Sequence, residues 1–328
     1  MGFLLFWHLN VTWHSQTIVT EFVLKGFKSL YSIQIFIFSL FLIIYIFTLF
    51  GNLLIILLVA TNARLHSPMY FFLSNLSLSE VVFTANIVPN MLHNLLSEDD
   101  SISLPGCLTQ YYFFSTTATT ECLLLAIMSY DRYLAICRPL HYSSLMSFQS
   151  CCCTSAWAWL TGLIISMITL ILLCKSNFCG PNLIDNFFCD LSPLIELICS
   201  DTFIIQIESF VFASLLTLLP FVFIITTYII ILYNIFKIPS SNGRKKAFST
   251  CSSHLAVVST YYGTLIIMYV APSRKQIFSI SKALSLLYTV VTPLLNPIVY
   301  SFRNKEIHIA LNTLLKHCIK PFNTRGIS

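Results

Sequence analysis

The chain has 328 residues, of which 56% are hydrophobic and only 9% are charged, and its formal net charge is +5. A soluble domain carries roughly 25% charged residues, so this chain has too few to cover a water-facing surface of its own size. The composition excludes an ordinary soluble protein. The positive charge does not indicate nucleic-acid binding, because the basic residues lie in short segments between apolar stretches.

Seven stretches are long and apolar enough to be membrane helices, which need about 20 mostly apolar residues. They are 33–60, 69–95, 107–134, 152–174, 203–236, 247–271 and 279–301. The second and third are the most polar of the seven, which indicates that they face the interior of a helix bundle.

Apolar residues also recur at helical spacing after the seventh stretch, with basic residues beside them. They are Ile307, Ala310, Leu311, Leu314 and Cys318. This pattern predicts a short amphipathic eighth helix on the inner leaflet, where Cys318 is a weak candidate for palmitoylation. The sequence therefore predicts an all-α membrane protein with a tail (1–32), a seven-helix domain (33–301) and a cytoplasmic C-terminal segment (302–328).

The distribution of basic residues predicts that the N-terminus lies outside the cell. In that orientation twelve of the eighteen Lys and Arg residues fall in cytoplasmic segments, in line with the positive-inside rule. Asn10-Val11-Thr12 is a glycosylation acceptor in the predicted outer tail. Asn75-Leu76-Ser77 has the same pattern but lies within the second stretch, so we expect it to be unmodified.

An acid and a base stand side by side, Asp131 and Arg132, at the inner end of the third stretch. A charge pair at the end of a membrane helix is costly, so it usually belongs to a switch or an ion path. A stop-transfer flank that only marks the membrane boundary explains the position equally well. Position alone does not decide between the two interpretations.

Two further acids, Glu80 and Glu121, lie inside the second and third stretches. Counted at 1.5 Å per residue, both are roughly 17 Å above the inner rim. Each costs about 2.5–3.5 kcal/mol at the bilayer centre, and two carboxylates at one depth repel. We expect a sodium ion between them, with Asn52 and Asn296 close by; two protonated acids in a hydrogen-bond network are the alternative.

The twelve cysteines separate by position. Cys107, Cys179, Cys189 and Cys199 are predicted to lie outside, where disulfides persist, and four cysteines allow three pairings. The others are expected to be reduced. Cys251 and His254 have a spacing that suits metal binding, but two ligands without a second pair are a weak signal.

Five motifs, in order and at matching spacing, carry a resemblance to a known family. They are LHSPMY (65–70), MSYDRYLAICRPLHY (128–142), FCGPNLIDNFFCD (178–190), KAFSTCSSHL (246–255) and PLLNPIVYSFRN (293–304). With seven helices, they resemble the olfactory receptors, rhodopsin-like G-protein-coupled receptors. The resemblance extends from about Thr20 to Leu315. Thr227 stands where the family usually has Ser, and Glu80 where Asp is commoner.

The resemblance implies a plasma-membrane odorant receptor that activates a stimulatory, olfactory-type heterotrimeric G protein and raises cAMP. It implies that Asp131, Arg132 and Tyr133 form the switch motif, and that release of Arg132 from Asp131 opens an inner crevice for the G protein. Tyr228 and Tyr300 are similar to tyrosines that support the open state, and Asn296-Pro297 locally weakens the seventh helix. It also implies the pairings Cys107–Cys189 and Cys179–Cys199.

The ligand pocket is expected in the outer half of the bundle, lined by apolar side chains and a few hydroxyls, which suits a small volatile molecule. The candidates are Tyr111, Phe114, Ser115, Ala118, Thr119, Ser209, Phe212, Ala213, Leu216, Tyr262, Leu265, Ile266, Tyr269 and Thr289. No acid lies on the pocket face of the third helix, which argues against an amine bound by an ion pair.

Three other functions explain the sequence less well. A transporter or channel would use intramembrane acids, but the halves show no repeat of hydropathy. An opsin needs a lysine in the middle of the last span, and Lys282 lies at its outer end. A membrane enzyme is not indicated, because no HExxH, GxSxG or paired catalytic set is present. No cofactor is expected beyond the sodium ion.

Overall fold

The computed structural model describes residues 19–26, 33–97, 100–179, 181–270, 285–303 and 305–319. Five uninterrupted helices exceed 25 residues in this part of the chain: α1 (Gln34–Thr61), α2 (Pro68–Leu96), α3 (Leu104–Cys137), α5 (Phe148–Cys174) and α9 (Ser241–Val270). Shorter helices are a 3₁₀ turn (Ala63–Leu65), α4 (Pro139–Leu145) and α6 (Leu191–Glu196).

The fifth and seventh predicted spans are helices with a π-helical turn inside them. The fifth contains α7 (Phe203–Ala213), a π turn (Ser214–Leu218) and α8 (Leu219–Phe236). The seventh contains a π turn (Leu287–Val291) and α10 (Thr292–Arg303), and α11 (Lys305–Ile319) follows.

Each π turn ends two residues before a proline, Pro220 in one case and Pro293 in the other. Proline cannot donate to the helical ladder, and its ring crowds the carbonyl four residues earlier. That carbonyl belongs to the π turn in both helices, at Leu216 and at Thr289. The wider turn gives the ring the room it needs, so the chain continues as one helix.

Four helices in the described part of the chain are long and apolar enough to cross a membrane. They are Gln34–Thr61, Pro68–Leu96, Phe148–Cys174 and Phe203–Phe236. Helices α3 and α9 are about as long as the third and sixth predicted spans, but they are more polar than the four helices just named. Within the described residues, helices coincide with all seven predicted stretches, of which 271 and 279–284 lie outside this range, while membrane crossing by the third, sixth and seventh stays a prediction.

Helix α3 lies at the centre of the bundle and packs against α2, α5 and α8. Close approach of α5 depends on Gly162, because a Cβ atom there would stand 2.6 Å from the carbonyl oxygen of Thr116. Large apolar residues of α1 and α5, such as Phe36 and Ile164, are exposed on the outside of the bundle. The apolar faces point outward and the polar residues of α3 inward, as in a membrane bundle.

A small sheet covers the end of the bundle where α3 begins. Strand β1 (Glu21–Leu24) lies between β2 (Ser101–Ser103), which is antiparallel to it, and β3 (Leu183–Ile184), which is parallel. Phe22 and Leu24 of β1 are fully buried beneath it. The prediction of an all-α protein is therefore wrong for residues 21–24, which lie in the predicted tail (1–32) and form the central strand of this sheet.

Candidate functional site

Both oxygens of the Asp131 carboxylate are bound at the far end of α3. The Arg132 guanidinium donates to Oδ2 through Nη2 and through Nε at 2.9 Å, and the Tyr142 hydroxyl donates to Oδ1 at 2.8 Å. Asp131 is fully buried and Arg132 is 8% exposed. This ion pair is buried and both of its carboxylate oxygens are bound. It therefore differs from a stop-transfer segment, whose charges only mark where a helix leaves the membrane.

Tyr142 belongs to α4, so this hydrogen bond ties the segment after α3 to the ion pair. Burial and the charge of Asp131 raise the pKa of the Tyr142 phenol above its ordinary value. The phenol therefore stays protonated and remains a donor at neutral pH. Tyr142 lies at the end of the motif noted above, but sequence spacing gave no sign of its contact with Asp131.

Replacing Tyr142 with phenylalanine removes this donor and leaves a buried carboxylate oxygen without a partner. We expect the free energy of unfolding to fall by about 1.5–3 kcal/mol, the contribution of a hydrogen bond to a charged group. Thermal unfolding of the purified protein in detergent measures the change. Tyr130→Phe is the matched control, because Tyr130 is 36% exposed and only its ring makes contacts, with those of Tyr133 and Phe223, among the described residues. Equal midpoints for the two variants would contradict the assignment.

A second polar contact near Arg132 joins α8 and α9. The Tyr228 hydroxyl lies 2.7 Å from His254 Nδ1, and the two rings stack. Tyr300 of α10 is also buried and lies within electrostatic range of Arg132. Its hydroxyl and His254 Nε2 have no hydrogen-bond partner among the described residues. His254 thus pairs with a tyrosine, and within the described ranges no three His, Cys, Asp or Glu residues form a metal site.

The remaining switch residues predicted from the sequence lie near this end or above it. Tyr133 is half-buried, and its ring stacks on Tyr130 rather than on the ion pair. Pro297 lies inside α10, and its side chain packs against Gly51 of α1. A Cβ atom on Gly51 would crowd the proline ring.

The two mid-bundle acids are buried, and each accepts a hydrogen bond from a side chain of a neighbouring helix. Asn296 donates from Nδ2 to Glu80 Oε1, and the Ser79 hydroxyl lies 3.2 Å from Glu121 Oε1. Glu80 and Glu121 are 1% and 3% exposed and lie within electrostatic range of one another. The pair predicted from the sequence is thus brought together, with Asn296 beside it.

Asn52 approaches the same region from α1. Its Nδ2 donates to the carbonyls of Thr48 at 3.0 Å and Pro293 at 3.3 Å, three residues before Asn296. Its Oδ1 is buried and accepts no hydrogen bond from the described residues. Carboxylate and amide oxygens are the ligands that hard cations prefer, so this donor set suits a sodium ion.

An aromatic cluster fills the bundle between the acids and the sheet. The ring of Phe114 on α3 lies 5.7 Å from Phe83, 5.1 Å from Phe188 and 6.1 Å from Tyr288. The cluster continues through Tyr261 and Tyr262 to Phe221. Tyr261 donates to the carbonyl of Ala118 at 3.0 Å, whereas the buried Tyr262 hydroxyl has no partner among the described residues.

The predicted pocket residues differ in where the structure places them. Tyr111, Tyr262 and Thr289 are buried, and Ala213 is exposed. The half-buried members are Phe114, Ser115, Ala118, Thr119, Ser209, Phe212, Leu216 and Leu265. The hydroxyls of Thr289 and Ser209 donate to backbone carbonyls within their own helices. The side chains of Ile266 and Tyr269 lie outside the described residues, as does Asn10.

A cleft of about 510 Å³ lies elsewhere, between α1 and the C-terminal half of α2. Its lining is mostly apolar and includes Phe38, Tyr45, Leu92 and His93. None of these residues was predicted as a ligand contact.

Comparison with known proteins decides the family. The olfactory receptor family profile matches residues 41–318. Human olfactory receptor 11H4 is 46% identical over 298 residues, 91% of this chain and 92% of its own length. Human olfactory receptor 11A1 is 46% identical over 93% of this chain and 96% of its own, and human olfactory receptor 6N1 is 47% identical over 91% and 96%.

The chain belongs to the olfactory receptor family.

As a member of this family it is a multi-pass plasma-membrane receptor of the G-protein-coupled class with an odorant receptor role. The family is one of receptors, not of enzymes. Both disulfides that the resemblance implied are present in this olfactory receptor: Cys107–Cys189 with Cα atoms 5.5 Å apart, and Cys179–Cys199 at 5.9 Å.

The loop that carries these disulfides has a half-buried acid that follows Cys189 directly. Asp190 accepts a hydrogen bond from the Leu191 backbone N–H at 2.7 Å and so caps α6. Burial raises the pKa of its carboxyl above the ordinary value, and the backbone hydrogen bond works against that rise. The loop of this receptor is thus held by a disulfide and a helix cap at neighbouring residues.

Proposed function

We propose that this olfactory receptor binds a small, largely apolar odorant in the half of the bundle beneath the sheet. One observation carries the proposal: α3 bears aromatic and hydroxyl side chains near its beginning and the bound pair Asp131–Arg132 at its end. A single rigid helix therefore connects the place for the ligand with the place for the switch. Phe114, Ser115, Ala118 and Thr119 are the α3 residues that we assign to the ligand.

We propose further that the N-terminus and the sheet are extracellular and that Arg132 faces the cytoplasm. The two-to-one excess of basic residues in the cytoplasmic segments supports this orientation. Two disulfides at the sheet end support it too, because disulfides persist in oxidising compartments. Asn10 would then lie in a compartment where N-linked glycans are attached.

In this proposal the ligand favours a state in which Arg132 leaves Asp131 and a stimulatory, olfactory-type G protein docks at the freed end. Tyr228 and Tyr300 are buried close to Arg132 and have hydroxyls that can receive the guanidinium. Release breaks the ion pair and loses its stabilisation. The released state is therefore populated only when a ligand or a G protein binds it more tightly than the resting state. Activation would raise cAMP.

A cAMP reporter assay on a chemically diverse odorant panel tests the proposal in cells that express the full-length receptor. We expect concentration-dependent responses to some small apolar odorants, and their loss in cells that lack the stimulatory α subunit. Untransfected cells and cells with a related receptor are the controls. Surface-expressed receptor that signals only through calcium, with unchanged cAMP, would contradict the choice of G protein.

We propose that Glu80, Glu121, Asn52 and Asn296 hold a sodium ion in the resting state. The unpartnered Oδ1 of Asn52 and the two neighbouring carboxylates support this assignment. The ion would offset the repulsion between the two acids and so stabilise the packing of α1, α2, α3 and α10. Two protonated acids in one hydrogen-bond network would relieve the same repulsion.

Thermal unfolding of the purified receptor in NaCl and in choline chloride, at equal ionic strength, distinguishes sodium from protons. At sodium tenfold above its dissociation constant we expect a stabilisation of about 1.4 kcal/mol. Glu121→Gln should abolish the difference between the two salts, whereas Glu196→Gln, on α6 and away from these acids, should keep it. Equal midpoints in both salts, with a strong dependence on pH, would favour the shared proton.

A further inference from the structure

A carboxylate that the sequence did not connect with the ligand lies where α3, α5 and α7 meet. Glu208 of α7 accepts a hydrogen bond from the Thr169 hydroxyl of α5, with the oxygen atoms 2.7 Å apart. Thr169 is 4% exposed and Glu208 is half-buried, so the Thr169 side of this contact lies inside the bundle. Glu208 lies five residues after the start of α7, or roughly 8 Å along the helix axis.

Only one oxygen of this carboxylate is bound. Oε2 of Glu208 is screened from solvent and has no hydrogen-bond partner within the described ranges. None of the basic side chains that the structure describes forms an ion pair with Glu208. A carboxylate at this depth with one bare oxygen is costly, which a cationic partner would offset.

Tyr111 connects this carboxylate with the proposed odorant site. Its side chain is 4% exposed and lies close to Ser115 and Thr169, within electrostatic range of Glu208. Ser115 is the next residue on the same face of α3, and Phe114 beside it begins the aromatic cluster. A ligand against Phe114 and Ser115 is therefore about one helical turn from Tyr111, which lies within electrostatic range of Glu208.

We propose that Glu208 binds the protonated nitrogen of an amine odorant, with Thr169 fixing the carboxylate and Tyr111 contributing its ring face to the cation. This inference rests on the proposed function and names the ligand class for that site. The pocket face of the third helix supplies no acid, but the fifth span supplies one next to it. An organic ammonium suits the site better than a metal ion, because Glu208 lies beside hydroxyls and an aromatic ring and in no described group of three metal-ligating side chains.

Two readouts on the full-length receptor separate this inference from the proposed function. The probes are primary amines of about six to ten carbons, linear, cyclic and aromatic, each with its isosteric alcohol and hydrocarbon. Ligand-induced thermal stabilisation of the purified receptor measures binding without a G protein. The cAMP reporter measures signalling.

The expected result is that at least one amine binds roughly tenfold or more tightly than its alcohol, since a charge-assisted contact exceeds a neutral one. Glu208→Gln should remove that preference, and Glu208→Asp should retain part of it. Glu196→Gln should leave it intact, because Glu196 lies on α6 outside this cluster. Thr169→Val should weaken amine binding and spare the hydrocarbon.

Each outcome bears on the inference. If no amine exceeds its alcohol, or if Glu208→Gln keeps the preference, the inference is overturned, even where other odorants raise cAMP. Binding of an amine that depends on Glu208 without a cAMP response would support the ammonium site and contradict the proposed signalling. A preference that survives in Glu208→Gln but disappears in another outer-half variant would place the ammonium elsewhere.

Discussion

Replacing Arg132 with alanine should abolish odorant-evoked cAMP, with a loss of at least about tenfold in the maximal response. The guanidinium is the only large, permanently charged donor that we assign to the switch, and alanine cannot take its place in the open state. The variant also leaves Asp131 fully buried and unpaired with a cation. Breaking such a pair costs about 3–5 kcal/mol, so loss of stability has to be separated from loss of signalling.

The double variant Asp131→Asn with Arg132→Ala makes that separation, because it removes both charges. Its thermal midpoint should recover relative to Arg132→Ala, while its cAMP response should stay absent. Arg138→Ala is the matched control: Arg138 follows α3 by one residue, is exposed, and should signal normally. Normal cAMP signalling from Arg132→Ala at equal surface expression would contradict the switch role.

Replacing Cys107 with serine should prevent the receptor from reaching the cell surface. The disulfide to Cys189 spans 82 residues, and closing a loop of that length is worth about 4–5 kcal/mol on the chain-entropy account. That is a large fraction of the 5–15 kcal/mol that ordinary domains have in total. Surface immunostaining of intact cells, normalised to total receptor, measures the effect.

Three comparisons sharpen this test. Cys107→Ser with Cys189→Ser should match the single variant and so exclude damage from a lone thiol. Cys199→Ser should cost less, because its loop to Cys179 spans only 20 residues. Cys174→Ser should behave as wild type, since Cys174 is an exposed free thiol at the same end of the bundle. Wild-type surface levels for Cys107→Ser would show that this bridge is dispensable.

The positions of the helices could be predicted from the sequence because apolar length alone sets them. The first predicted stretch, 33–60, became Gln34–Thr61, and the fifth, 203–236, ends at Phe236 as expected. The acids of the switch and of the middle of the bundle could be predicted as well, because a charge is conspicuous in an apolar helix. Glu80 with Asn296, and Asp131 with Arg132, are in contact.

Contacts that depend on how helices rotate and where loops return could not be predicted. Ala213 was placed in the pocket by its position in the fifth span, yet it is exposed, because a helical period does not fix which face points inward. Glu208 could not be predicted as a pocket residue, because its place in the fifth span does not show that it faces Thr169. The apolar residues Phe22 and Leu24 alternate with their neighbours, which is the pattern of a strand. Four residues are too few, however, to distinguish a strand from a loop.

The position of β1 at the centre of the sheet has a consequence for the order of synthesis. Val23 pairs with Leu183, so a strand made near the start of translation stays without this partner until 160 further residues have been added. Cys189, the partner of Cys107, follows Leu183 in the same loop, so it is made directly after that strand. Sheet and disulfide are therefore completed in one late event, after α5 has been made. Until then Phe22 and Leu24 remain available to chaperones that inspect unfinished receptors.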